Sequence, residues 1–183
     1  MGKHTFPVEN ADALDDEARY RYCSREELLA MVDPWGGTVA DLGSGTGFYT
    51  NDVAPYADTV YAIDLQPEMH DRYRENGVPE NVELVTAEIA DLPLDDDEVT
   101  AAFSTMTYHE FGGEEALEEI RRVMVPDARL VAVDWTAEGE GESGPPLNER
   151  YSLSEAVEHH RTAGFSVAVA ESRVETFRIV ATP

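Results

Sequence analysis

The chain has 183 residues, a length that suits one domain with a sizeable core better than two domains. Asp and Glu number 38 against 13 Lys and Arg, so the formal net charge is -25, and Lys3 is the only lysine. This balance argues against nucleic-acid partners, which require clustered cations. The lack of a long apolar run argues against a membrane span, and the single cysteine, Cys23, argues against disulfides and a thiolate metal site.

Seven short runs rich in β-branched and apolar residues, each bounded by turn residues, predict strands. In chain order they are Thr38–Leu42, Thr59–Ile63, Val82–Thr86, Val99–Ser104, Arg129–Asp134, Phe165–Ala170 and Glu175–Ala181. Helical signals fall between most of these runs. The alternation predicts an α/β fold in which helices cover both faces of a largely parallel sheet.

Three helices carry recognisable signals. Pro67 is placed for the first turn of a helix and Gly77 for its end. The stretch EEALEEIRRVM repeats apolar residues at helical spacing. In SLSE, Ser152 lies three residues before Glu155, which predicts a capping box for a helix that ends near Gly164.

The N-terminal segment, residues 1–35, is expected to be helical and to belong to the same domain, 1–183. Its stretch ARYRYCSREELL is the part of the chain densest in arginine and aromatic residues. This composition predicts either a docking helix or a lid over a ligand site.

The stretch VADLGSGTGFYT places Gly43, Gly45 and Gly47 directly after the first predicted strand. Glycines at the carboxyl end of a parallel strand let a ligand approach the backbone closely. About 20 residues later the second strand ends in Asp64, whose carboxylate can accept hydrogen bonds from both hydroxyls of a ribose. The pair predicts a cofactor that contains adenosine.

The residue at position 48 distinguishes a dinucleotide from other cofactors that contain adenosine. A dinucleotide fingerprint requires a third glycine where this chain has Phe48. The chain also has an acid, Asp41, two residues before the first glycine. An acid there repels a diphosphate and suits a cofactor with an ammonium and a sulfonium group, so S-adenosylmethionine is the predicted cofactor.

With these motifs the sequence resembles the class I S-adenosylmethionine-dependent methyltransferases, particularly those that act on small molecules. The resemblance extends to YAIDLQPEM, AEIADLPLDDDEV, STMTYHEF, IRRVMVPDARLVAVDW and SLSEAVEHHRTAGFSVAV. It implies a Rossmann-like three-layer sandwich with a seven-stranded, mostly parallel sheet. The implied strand order is 3-2-1-4-5-7-6, with the last strand antiparallel.

The resemblance also implies which residues bind the cofactor. They are Asp41, Gly43, Ser44, Gly45, Gly47, Asp64, Leu65, Glu88, Ile89 and Ser104. Asp41 and the glycine turn would hold the methionine part, and Asp64 would bind the ribose. Glu88 stands where the family usually has an aspartate at the adenine edge.

His109 is the candidate general base, because it follows the fourth strand and an imidazole titrates near neutral pH. Tyr108 and Tyr151 are expected either to line the acceptor pocket or to pack in the core. Spacings typical of a metal site are missing around His109, so no metal is expected.

The predicted function is in-line transfer of a methyl group from S-adenosylmethionine to a small molecule. Two alternatives remain open: an oxidoreductase that uses NAD, and an inactive methyltransferase-like protein that senses the cofactor or binds a partner. The acid excess and single lysine resemble those of proteins from salt-accumulating archaea, where salt screens repulsion to within about 3 Å at 1 M. The N-terminus does not resemble a secretory signal, so a cytoplasmic location is expected. The oligomeric state is not predicted.

Overall fold

The computed structural model describes residues 5–183. Residues 1–4, which include Lys3 and begin the predicted N-terminal segment, lie outside the described part of the chain. The strands are β1 (Thr38–Leu42), β2 (Thr59–Asp64), β3 (Val82–Thr86), β4 (Val99–Thr105), β5 (Met124–Trp135), β6 (Ser166–Ser172) and β7 (Thr176–Thr182).

Helices lie between most of the strands, as the pattern of apolar runs predicts, but within the described residues β3 is followed by β4 with no helix between them. The α-helices are α1 (Arg25–Val32), α2 (Phe48–Val53), α3 (Pro67–Asn76), α4 (Tyr108–Phe111), α5 (Glu114–Val123) and α6 (Leu153–Thr162). Four 3-10 helices cover Val8–Asp15, Glu17–Arg21, Ala54–Tyr56 and Leu147–Glu149. None of the helices in residues 5–183 has the length and apolarity that crossing a membrane requires.

The seven strands form one sheet in the order β3-β2-β1-β4-β5-β7-β6. β7 is antiparallel to both of its neighbours, and the other pairs are parallel. The predicted fold class and strand order are confirmed. In this order the carboxyl ends of β1, β2, β4 and β5 lie along one edge of the sheet, where open α/β folds bind ligands.

Two buried apolar clusters lie on opposite faces of the sheet, because successive side chains of a strand alternate between faces. Ala40 and Leu42 of β1 belong to the cluster that α5 and α6 cover. Val39 belongs to the other cluster, together with residues of α1, α2 and α3. This arrangement gives the predicted three layers of helix, sheet and helix.

The helix ends follow their sequence signals closely. The capping box is present: the Ser152 hydroxyl accepts the Glu155 N–H, and the Glu155 carboxylate accepts the Ser152 N–H. α3 begins at Pro67 and is followed by Gly77. β5 begins five residues earlier than its predicted start at Arg129, because Met124 already pairs with Val99 before the register shifts.

Candidate active site

The glycine turn after β1 has a backbone that other residues rarely adopt. Gly43, Gly45 and Gly47 have φ values of 83°, 54° and 86°. A Cβ atom on Gly43 would lie 2.3 Å from Thr107 Cγ2. The N–H groups of Gly43 and Ser44 both donate to the Ile63 carbonyl at 2.9 Å, which ties the turn to β2.

Asp64, the last residue of β2, organises the same turn. Its Oδ2 accepts the Gly45 N–H at 2.8 Å, and its Oδ1 accepts the Gln66 N–H at 2.9 Å. Burial raises the Asp64 pKa, although these backbone hydrogen bonds act in the opposite direction. Each carboxylate oxygen has more than one lone pair, so both retain capacity to accept a hydrogen bond from a ligand.

A cavity of about 560 Å³ lies over the glycine turn and the adjacent strand ends. Its volume is within the range of roughly 300–1,000 Å³ that is common for small-molecule sites. It is lined by the turn, Asp64 and Leu65, and also by His109, Glu110 and Trp135. Leu65 is 41% exposed, so its apolar side chain is available to a ligand.

The structure brings seven of the ten predicted cofactor residues to this cavity. They are Gly43, Ser44, Gly45, Asp64, Leu65, Glu88 and Ile89. Asp41, Gly47 and Ser104 do not line it. Packing explains why position 47 is a glycine, since a Cβ atom there would lie 2.1 Å from Tyr73 Cζ.

Asp41 lies beneath the turn rather than in the cavity wall. Its side chain is buried, and its Oδ2 accepts a 2.6 Å hydrogen bond from the Thr50 hydroxyl. Burial raises the Asp41 pKa to about 7. Among residues 5–183, Asp41 Oδ1, Ser44 Oγ and Ser104 Oγ are buried without a hydrogen-bond partner. Of these three residues Ser44 lines the cavity, and its unsatisfied hydroxyl fits a polar ligand there, because a buried polar atom without a partner is unfavourable.

The N-terminal segment closes the cavity from above. Thr5, Phe6, Pro7, Leu14, Arg19 and Tyr22 line it. Arg19 donates to the Leu14 carbonyl at 2.6 Å, and its guanidinium lies 5.1 Å from the centre of the Phe48 ring. Sequence reasoning did not single out Arg19, although the density of arginine and aromatic residues marked its region.

Phe48 begins α2, where its ring packs 4.8 Å from that of Tyr20. A bulky side chain therefore occupies the place where a dinucleotide fingerprint has its third glycine. The packing of Phe48 therefore supports the sequence prediction of S-adenosylmethionine over a dinucleotide as cofactor.

His109 lies on α4, lines the same cavity and is held by Asp134 of β5. Its Nδ1 is 3.0 Å from both Asp134 carboxylate oxygens, and its backbone N–H donates to Asp134 Oδ2 at 2.5 Å. Burial lowers the His109 pKa, but the negative charge and hydrogen bond of Asp134, with a contribution from Glu110, outweigh burial and raise it.

Glu110 is the neighbour of His109 in both sequence and space, with its Oε1 3.9 Å from His109 Nε2. Burial raises the Glu110 pKa to about 7, although His109 acts in the opposite direction. An imidazole with a raised pKa and a carboxyl group with a pKa of about 7 therefore lie together in the cavity, an arrangement suited to proton transfer.

The two tyrosines considered for the pocket do not line it. Tyr108 is buried, and the Tyr151 hydroxyl donates to the Gly112 carbonyl at 2.7 Å. Sequence reasoning missed Asp134 and Trp135 as site residues. The signal available for Asp134 was its position as an acid at the predicted end of a strand, like Asp64 at the end of β2.

Residues 40–132 match the model of the family described as methyltransferase domain. This match covers half of the chain. The chain belongs to the methyltransferase domain family. S-adenosylmethionine is the cofactor of this class I family, as the sequence predicts.

Known proteins similar to this chain include a solved S-adenosylmethionine-dependent methyltransferase from Aquifex aeolicus. The two are 33% identical with a TM-score of 0.88, and the alignment covers 97% of this chain and 98% of the other. An uncharacterized methyltransferase from Mycobacterium tuberculosis is 36% identical over 129 residues, which is 64% of this chain and 52% of the relative.

An arsenite methyltransferase from Halobacterium salinarum is 32% identical over 120 residues, or 61% of this chain and 30% of the relative. The chain therefore spans about half the length, or less, of these two relatives.

Proposed function

We propose that this methyltransferase transfers a methyl group from S-adenosylmethionine to a small molecule bound in the cavity between the glycine turn and His109. The observation that carries the proposal is the continuity of this cavity from Asp64 to His109 and Glu110. A cofactor site and proton-accepting groups that share one cavity are what transfer between two bound molecules requires.

The residues around the turn fit the cofactor. Asp64 would accept the ribose hydroxyls, Leu65 would lie against the adenine face, and Glu88 and Ile89 would lie at the adenine edge. Ser44 lines the cavity and its buried hydroxyl oxygen has no hydrogen-bond partner, which supports a polar amino-acid group beside the turn. When bound, the cofactor supplies a methyl group on a positively charged sulfur that is already activated for displacement.

The protein contributes mainly by positioning. Holding reacting groups in line lowers the barrier by up to roughly 7–11 kcal/mol. The N-terminal segment and Trp135 enclose the cavity and limit the access of water. His109 accepts the proton of an acceptor that must lose one.

We do not propose arsenite, which the name of the Halobacterium salinarum relative indicates, as the methyl acceptor of this chain. Arsenic(III) is a soft acceptor that thiolates bind well. The single cysteine, Cys23, is fully buried, and burial raises the pKa of its thiol to about 12. An organic acceptor agrees better with the apolar and aromatic residues at the His109 end.

The cofactor site is tested by substituting Asp64 with Asn. The Asp64→Asn variant loses the carboxylate charge and one acceptor oxygen. Because a hydrogen bond to a charged group contributes about 1.5–3 kcal/mol, we expect the affinity for S-adenosylhomocysteine to fall at least about tenfold in calorimetry. Asp58→Asn is the matched control, since Asp58 is exposed just before the opposite end of β2. Equal affinity for wild type and Asp64→Asn would contradict this assignment.

The acceptor class is tested by release of S-adenosylhomocysteine with fractions of a halophile cell extract. Filtration separates metabolites from macromolecules before the assay. The proposal predicts turnover with the metabolite fraction. Turnover with the macromolecular fraction alone would contradict a small acceptor, and cofactor binding without turnover in either fraction would favour the inactive alternative.

A further inference from the structure

Asp134 contacts His109 at two points. Its carboxylate accepts a hydrogen bond from the His109 backbone N–H and lies 3.0 Å from the ring Nδ1. Asp134 is fully buried, so its position is fixed by the end of β5. An ionised carboxylate only accepts hydrogen bonds, so Asp134 favours the imidazole tautomer that carries hydrogen on Nδ1. Nε2 then keeps its lone pair.

The residues that line the cavity near His109 indicate what kind of methyl acceptor would lie beside Nε2. Trp135, Phe111, Pro145 and Pro146 supply apolar surface. The carboxyl groups of Glu110 and Glu149 lie among them, so the surroundings disfavour an anionic acceptor. Within residues 5–183, Arg19 is the one permanent cation in the cavity wall, and its guanidinium lies near Phe48 by the glycine turn.

We propose that Asp134 is a positioning residue that holds His109 with its basic Nε2 toward the cavity, and that the methyl acceptor is an aromatic hydroxyl compound without negative charge. This inference rests on the proposed function. A neutral amine already has a free lone pair and needs no base. A phenol, with a pKa near that of tyrosine at about 10, is mostly protonated at neutral pH and gains from one.

The proposed step is balanced. The acceptor oxygen forms a bond to the methyl carbon as the carbon–sulfur bond breaks, and that electron pair stays on sulfur to give the neutral thioether of S-adenosylhomocysteine. The hydroxyl proton moves to His109 Nε2. The resulting imidazolium is stabilised by the adjacent Asp134 carboxylate, and its proton is later released to solvent.

This arrangement has a definite pH dependence. The charged groups that act on His109 are Asp134 from β5, Glu110 from α4 and Arg150, which follows the last 3-10 helix. The two acids raise the His109 pKa and Arg150 lowers it. Because only neutral His109 accepts a proton, kcat is expected to rise with pH through the raised pKa. Removing the Asp134 charge lowers that pKa and moves the rise to lower pH.

The most direct test is nitrogen NMR of the histidine rings in the full chain, with the His109 signals assigned by their loss in His109→Gln. We expect wild type above the His109 pKa to carry hydrogen on Nδ1. In Asp134→Asn we expect the His109 pKa to fall, kcat with the acceptor to fall at least about tenfold, and affinity for S-adenosylhomocysteine to stay unchanged. Asp127→Asn is the control, because Asp127 is an exposed acid on the same strand, β5, and does not act on His109.

The acceptor class is tested with phenol, aniline and thiophenol, which present different nucleophiles on one ring. We expect phenol to give the highest turnover in wild type and the largest loss in Asp134→Asn. Any other ranking, including no turnover of phenol, would overturn the acceptor assignment.

A wild-type His109 with hydrogen on Nε2, or a His109 pKa that Asp134→Asn leaves unchanged, would overturn the role of Asp134. The wild-type tautomer decides this point even where Asp134→Asn does not fold. Failure of wild type to bind S-adenosylhomocysteine would instead overturn the proposed function.

Discussion

Gly47 is confined by the ring of Tyr73. Tyr73 is fully buried and its hydroxyl donates to Asn51 at 2.8 Å, so the ring cannot move aside easily. A Cβ atom on Gly47 would lie 2.1 Å from this ring, at a backbone φ of 86°. The glycine therefore serves both the left-handed turn and the approach of α3 to the sheet.

Gly47→Ala is expected to destabilise the fold for two reasons. Left-handed backbone costs a non-glycine residue about 1–2 kcal/mol, and overpacking in a core costs about 1–3 kcal/mol more. The matched control is Gly77→Ala, since Gly77 also has a positive φ, 94°, but has open space around its Cα. Denaturant unfolding should give a clearly larger loss for Gly47→Ala. Equal losses of unfolding free energy in the two variants would contradict this, because they would mean that the Tyr73 ring moves aside without a free-energy cost.

At the residue scale, the sequence predicted the parts of the site that are local in the chain. The glycine turn follows β1 and Asp64 ends β2, so their spacing in the sequence was enough to predict that both belong to one cofactor site. Asp134 was not predicted because it meets His109 across 25 residues, a contact that depends on how β4 and β5 align. The sequence also could not show that Asp41 lies beneath the turn instead of in the cavity wall.

At the scale of elements, the N-terminal segment is fastened to the glycine turn and to α3. Asp15 accepts the Thr46 hydroxyl at 2.6 Å through Oδ1 and the Asn76 side-chain amide at 2.9 Å through Oδ2. The Tyr20 hydroxyl donates to Asp52 of α2 at 2.8 Å. The segment is hydrogen-bonded to neighbouring elements and also lines the cavity, and its role as a docking element or a lid stays a prediction.

Asp15→Ala removes the hydrogen bonds that Asp15 accepts from Thr46 and Asn76. Since each contributes about 0.5–1.5 kcal/mol, we expect the segment to open more readily and S-adenosylhomocysteine to dissociate a few-fold to about tenfold faster in stopped-flow measurements. Asp12→Ala is the control, because Asp12 is an exposed acid of the same 3-10 helix. An unchanged dissociation rate would contradict a closing role for the segment.

The N-terminal 3-10 helices and the early start of β5 illustrate what local patterns do not determine. The segment before α1 has few buried residues of its own, and its conformation depends on contacts with α2 and α3. In β5, Met124 pairs with Val99 although Pro126 and the left-handed Asp127 follow. In both places tertiary contacts outweigh the turn signals that the sequence carries.

At the scale of the whole molecule, the sequence predicted the fold class from the alternation of strands and helices. The strand order came from the resemblance to a family, because strand spacing permits several orders. The net charge of -25 is a property of the entire surface. Its self-repulsion weakens as salt screens it, so binding is best measured in molar potassium chloride.

The central claim is that the cavity over the glycine turn binds S-adenosylmethionine and not a dinucleotide. It is tested most directly by the thermal unfolding midpoint of the wild-type chain in molar potassium chloride, with S-adenosylhomocysteine or NAD added. A ligand at about a hundred times its Kd stabilises the folded state by about 2.7 kcal/mol, which raises the midpoint by roughly 5–10 °C for a chain of this size. We predict such a rise with S-adenosylhomocysteine and none with NAD. A rise with NAD alone would contradict the account.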